Sequence, residues 1–186
     1  MRRVAIALVH HPVLDGRGDV VTSAITNLDV HDLARSARTF GASDYFVVHP
    51  ITAQRELVEA IVLHWKEGSS GKRIPARKDA LALVRAVASL AAAYEALGGR
   101  AAIEVWTTTA APDASALAAD DARRRLAGEG PPVLVVFGTA WGLAADVHAA
   151  ADARLAPIVG LRAEYNHLSV RAACAIYLDR LLGARE

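Results

Sequence analysis

With 186 residues, 53% hydrophobic content and a formal net charge of +1, the chain is expected to form one α/β domain over residues 1–186, with a core large enough to need no disulfide or metal staple. The near-neutral balance excludes an overall electrostatic footprint for nucleic acid, so such a partner must meet a local patch. An aromatic content of 5% argues against an extended stacking platform for single strands.

The apolar runs 4–9 and 133–137 are far shorter than the roughly 20 residues a membrane-crossing helix needs. Met1-Arg2-Arg3 leads into an apolar stretch that stops at His10-His11-Pro12 with no small-residue cleavage site, so no secretory leader is expected. One cysteine, Cys174, cannot make an internal disulfide, and both features fit a reducing cytoplasm. The thiol is expected in the C-terminal half of a helix, as a small buried apolar residue.

In chain order, Val4-Ala5-Ile6-Ala7-Leu8-Val9 reads as a strand buried on both faces. Residues 15–19, Asp-Gly-Arg-Gly-Asp, read as a turn. Helical spacing over 30–39 places Asp29 as N-cap and Gly41 as the stop. Tyr45-Phe46-Val47-Val48 is the second strand, and 52–66 a helix with Leu57, Ile61 and His64 or Trp65 along one stripe. Residues 67–75 read as a Gly/Ser-rich basic loop, and 78–96 as one Ala/Leu-rich helix stopped by Gly98-Gly99. A third strand is expected at 103–107, a helix at 114–127, and a fourth strand at 132–137. A helix to about residue 152, a short fifth strand at 155–159 and a last helix at 168–182 complete the pattern. Such alternation predicts a parallel sheet with helices on both faces, and ligands bind outside the carboxyl ends of such strands.

The informative segments are therefore the strand exits. They are Thr107-Thr108-Thr109, Gly138-Thr139-Ala140-Trp141-Gly142-Leu143, Ile158-Val159-Gly160, and the approach to the last helix at Asn166-His167-Leu168-Ser169. Glycine lets main-chain N–H and C=O groups approach a ligand closely. Dinucleotide and triphosphate glycine fingerprints are missing, as are a Gly-x-Ser-x-Gly elbow and metal spacing among the seven histidines, so no metal is expected. Arg35 and Arg38, three apart on one helix, suit phosphate oxygens. The cluster Lys66, Lys72, Arg73, Arg77 and Lys78 is the one basic concentration able to meet a polyanion. Each of these also has a plain reading, as a turn, a helix cap or a solvated face.

Three ordered motifs resemble the SPOUT superfamily of trefoil-knot RNA methyltransferases. Residues 27–41 are similar to its Asn-x-Gly-x-x-x-Arg segment followed by Phe-Gly. Residues 135–143 are similar to its strand, Gly and Gly-Leu pair. Ile158-Val159 followed by 167–173 is similar to its Leu-Asn-x-Ser-x-Ala-Ala run. A small stand-alone bacterial branch carries stretches like 27–32 and 164–169.

The resemblance implies a C-terminal knot, S-adenosylmethionine as cofactor, a homodimer with its site near the interface, and RNA (rRNA or tRNA) as substrate. By position it assigns the cofactor to Thr107, Thr108, Gly138, Trp141, Gly142, Leu143, Ile158, Gly160, His167, Leu168 and Ala172. It makes Arg35 the catalytic arginine, and Arg38, Lys72 and Arg73 are candidates for RNA contact. Asp29 stands where the family has Asn, His31 where it has Gly, and His167 at the motif's Asn. Arginine is a poor base, with a pKa above about 12, so Asp29 is a second catalytic candidate. Ribose hydroxyl and ring nitrogen both stay open as acceptors. The alternatives are a cofactor-binding module without transfer and a metabolite enzyme on the same kind of sheet.

Overall fold

The computed structural model describes residues 1–161 and 165–185. Six parallel strands form the main sheet: β1 (Val4–Val9), β4 (Tyr45–Val48), β5 (Val84–Val87), β6 (Glu104–Thr108), β7 (Val133–Gly138) and β8 (Ala153–Leu155). Their order is β5-β4-β1-β7-β6-β8, and every pairing is parallel. The two short strands β2 (Val13–Leu14) and β3 (Val20–Val21) pair antiparallel in a separate hairpin.

The helices are α1 (Asn27–Phe40), α2 (Thr52–Glu67), α3 (Ser69–Arg73), α4 (Pro75–Leu81), α5 (Leu90–Ala96), α6 (Ala119–Ala127), α7 (Ala145–Ala149) and α8 (Val170–Leu182). None among the described residues is long and apolar enough to cross a membrane.

β1 is buried at all six positions because it lies inside the sheet, between β4 and β7. Its side chains alternate between layers. Val4, Ile6 and Leu8 join Leu33, Tyr45, Trp106 and Leu178 in one core. Ala5, Ala7 and Val9 join Phe46, Val105 and Leu134 in the other. The chain moves outward from β1 to β4 and β5, then crosses back to β6 and β7 on the other side. That reversal opens a crevice beside the carboxyl ends of β1 and β7.

Several elements differ from the sequence reading. The span 78–96 is not one helix: α4 ends at Leu81, β5 occupies Val84–Val87, and Ser89 caps α5 by accepting the Ala92 N–H. Pairing of β5 with β4 overrides the helical preference of its Ala- and Leu-rich surroundings. The Gly/Ser segment contains α3, whose Gly71 lies against the Trp65 carbonyl, where a β-carbon would not fit.

Thr26, not Asp29, caps α1: its hydroxyl accepts the Asp29 N–H at 3.2 Å and donates to the Asp29 carboxylate at 2.7 Å. Along α2, Val58, Ile61, Val62 and Trp65 pack inward, whereas Leu57 and His64 are exposed. α6 begins only at Ala119, since Leu117 bridges Leu155 in extended form. The short strand after α7 lies at 153–155, beside β6, rather than at 155–159. Cys174 is buried in the first half of α8, and burial pushes its thiol pKa upward.

Candidate functional site

At the carboxyl ends of β6 and β7 lies a cleft of about 910 Å³, within the usual range of small-molecule sites. The exits of both strands, Ile158, and the approach to α8 all border it. Its floor is the turn after β7. There Trp141 N–H donates to the Leu14 carbonyl (3.0 Å), Leu14 N–H to the Gly142 carbonyl (2.9 Å), and Gly142 N–H to the Thr139 carbonyl (2.9 Å). The turn requires a left-handed Gly142 (φ +106°) and holds Ala140 at φ +52°. Across the cleft, Asn166 donates its amide to the Ala110 carbonyl at 3.1 Å, tying the approach to α8 to the β6 exit. Ser169 then caps α8 by accepting the Ala172 N–H.

Of the residues singled out in the sequence, Thr108, Gly138, Trp141, Gly142, Leu143, Ile158, His167 and Leu168 border the cleft, together with Asp29. Thr107 is buried behind it, its hydroxyl 3.0 Å from Nδ1 of the cleft residue His148. Gly160 is exposed and Ala172 half-buried, and neither is part of the lining. Arg35 and Arg38 are exposed on α1, outside the cleft, and Lys72 and Arg73 are exposed on α3. Glu164, from the 164–169 stretch, lies outside the described residues.

Sequence reasoning missed Arg171. Its guanidinium bonds the buried Asp29 carboxylate at 2.8 Å and lies 3.7 Å from Asp32, which is in turn 3.7 Å from Arg35. Arg171 falls two residues past the cap Ser169, inside a motif already noted, so its position in the first turn of α8 was the available signal. Ser23 was also missed. It borders the cleft, 2.5 Å from the Thr139 hydroxyl and 3.0 Å from Nδ1 of the fully buried His10.

Burial, with His49 nearby, lowers the His10 pKa from 6.5 to about 4. Burial together with Arg154 lowers that of His148, and burial also lowers those of His31 and His49. These rings fold neutral, so the folded state binds fewer protons than the unfolded one below pH 6.5. Their contribution to stability is whole above pH 6.5 and declines toward pH 4, as protons bind the unfolded chain preferentially. Chemical denaturation repeated between pH 7.5 and 4.5 should show that decline, and His10→Gln should flatten it. A profile equally steep in the variant would remove His10 as a cause.

A family profile described as "SAM-dependent RNA methyltransferase" matches residues 3–183. A protein of Oleidesulfovibrio alaskensis named tRNA (guanine-N(1)-)-methyltransferase is 41% identical over 98% of this chain, which spans 42% of that relative. An uncharacterized protein of Aquifex aeolicus is 35% identical, with 96% of this chain and 87% of that protein covered. Among solved structures, a probable methyltransferase from Bordetella pertussis superposes with a TM-score of 0.65 at 18% identity, covering 97% of this chain and 92% of that one. The parallel sheet flanked by helices is thus the fold expected from the SPOUT motifs, and it is shared with solved structures named as methyltransferases. With the profile spanning nearly the whole chain and the cleft at the switch point of that sheet, the chain belongs to the SAM-dependent RNA methyltransferase family.

Proposed function

We propose that the chain transfers the methyl group of S-adenosylmethionine to RNA, with tRNA as the substrate class, acting in the cytoplasm as a homodimer with a knotted C-terminal region. Family membership and the name of the Oleidesulfovibrio relative support this reading. That name belongs to a whole protein of which this chain spans less than half, so the guanine-N(1) position is not carried over. The match of nearly the entire chain to part of a longer protein favours 1–186 as one domain.

One observation carries the proposal: four segments distant in sequence meet at one cleft whose floor is main chain. The residues fit the cofactor. At Gly138 a β-carbon would stand 2.7 Å from the Leu143 nitrogen and 2.9 Å from the Gly142 carbonyl carbon, so the turn folds back over a bare backbone. Main-chain groups of Gly138, Gly142 and Leu168 would hold the polar edges of the cofactor, with Thr108, Trp141, Leu143 and Ile158 around them.

When bound, S-adenosylmethionine supplies an electrophilic methyl. The protein must hold a nucleophile about 3 Å away, in line, and exclude water. It must also accept the proton the nucleophile loses. Among the described residues Asp29 is the carboxylate in the cleft lining, and Arg171 and the Thr26 hydroxyl fix its two oxygens. Arg171 orients it from one side and the Thr26 hydroxyl from the other. That arrangement suits proton removal from a ring nitrogen or, with help, a hydroxyl.

The test pairs calorimetry with S-adenosylmethionine and mass-spectrometric mapping of modified nucleosides in RNA with and without the gene. Cofactor binding together with loss of one methylated nucleoside from the tRNA fraction is the expected result. Binding without any such loss would replace this reading with a cofactor-binding module.

A further inference from the structure

A second groove, of about 600 Å³, lies between α1, α2 and α4. It adjoins the cleft through the first turn of α1: Thr26 and Asp29 border the cleft, while Asn27, Leu28 and His31 border the groove. An RNA strand whose target nucleotide occupies the cleft has only that turn to cross.

The chemistry of the groove matches a base on a polyanionic strand. Planar rings line it, with His31 and Trp65 edge to face at 5.5 Å and Arg77 5.2 Å over the Trp65 ring. Nδ1 of His31 is buried with no hydrogen-bond partner among the described residues. Arg77 is the cation of the groove's lining among the described residues, alongside the carboxylate Asp32, which pairs with Arg35. Further exposed cations lie on the same or adjoining helices, Arg38 on α1, Lys72 and Arg73 on α3 and Lys78 on α4. An aromatic, apolar slot holding Arg77, on helices that carry further exposed cations, suits a nucleotide better than it suits the apolar face of a protein.

We propose that this groove holds a nucleobase of the substrate RNA flanking the methylated nucleotide, with Arg77 and the α3 cations on the adjoining phosphates. The proposal rests on the methyl-transfer reading and adds the site that sets which RNA context is accepted. It requires one ring-lined slot rather than a stacking platform, so the low aromatic content does not oppose it.

Three variants test it. Ala60→Phe fills the groove from an exposed position on α2. Arg77→Glu reverses its charge, and Trp65→Phe keeps a ring in place. Affinity for an unfractionated tRNA pool is measured by filter binding, S-adenosylmethionine affinity by calorimetry, and mass by sedimentation. Ala60→Phe and Arg77→Glu should each weaken tRNA binding about tenfold, with cofactor affinity and mass unchanged and Trp65→Phe close to the parent. Unchanged tRNA affinity in both variants overturns the proposal. So does a dimer that dissociates in Ala60→Phe, which would assign the groove to a second copy. Failure of the methyl-transfer reading would appear instead in the unaltered chain, as absent cofactor binding or absent transfer.

Discussion

Gly138→Val should abolish S-adenosylmethionine binding, raising Kd more than about hundredfold, while the folded sheet survives. Gly138 closes β7, paired with Val9 of β1, and the chain then reverses so tightly that Leu143 N lies 2.7 Å from where a β-carbon would stand. Real β-carbons do not approach backbone that closely, and two of the three nearest atoms, Leu143 N and the Gly142 carbonyl carbon, belong to the main chain, which cannot rotate aside. The turn must therefore open. Opening it would break the bonds between Trp141, Gly142 and Leu14 that set the cleft floor.

Overpacking of this kind costs about 1–3 kcal/mol of stability, so thermal unfolding should shift by several degrees rather than vanish. The same substitution at Gly41, the C-cap of α1, which has a left-handed φ of +77° and nothing within 4 Å, should strain the end of that helix, outside the cleft lining, and leave cofactor affinity intact. Calorimetry on the three proteins decides the matter. Cofactor binding retained in Gly138→Val would mean that the β7 turn does not hold the cofactor.

The strands buried on both faces were legible because continuous apolar runs such as Val4–Val9 and Val133–Phe137 have no other use in a chain of this size. β5 was not, since Val84-Arg85-Ala86-Val87 sits among helix formers and becomes a strand only through pairing with β4. The β2–β3 hairpin, two residues a side, leaves too short a pattern to read, yet it locks the β7 turn. For the cleft, residues inside the glycine-bearing exits were visible because ligands favour strand ends. Ser23 and Arg171 were not, because their place depends on which side of a helix or loop meets the crevice. Thr26 took the cap from Asp29 for a related reason. A cap is decided by where the backbone leaves the extended region, whereas Asp29 spends its carboxylate on Arg171 from the other end of the chain.

Co-expressed Arg35→Ala and Asp29→Asn chains should recover transfer that neither variant supports alone. Arg35 has a side chain 58% exposed and lies outside the cleft lined by its own Asp29. Its path to that cleft within one chain runs through Asp32 and Arg171, across two separations of 3.7 Å too long for firm hydrogen bonds. If Arg35 takes part in transfer, a second copy has to bring it to the cleft. In a twofold dimer the contact is reciprocal, so each site combines Asp29 of one protomer with Arg35 of the other. Equal mixing makes half of the dimers mixed, and each mixed dimer holds one intact site, giving about a quarter of the parent activity. Both single variants should lose at least about a hundredfold in turnover and bind S-adenosylmethionine normally, since neither side chain forms the β7 turn. Mixed samples as inactive as the single variants, with mass spectrometry showing that mixed dimers formed, would confine the reacting groups to one protomer and leave Arg154 and Arg171 as the guanidinium groups that line the cleft among the described residues.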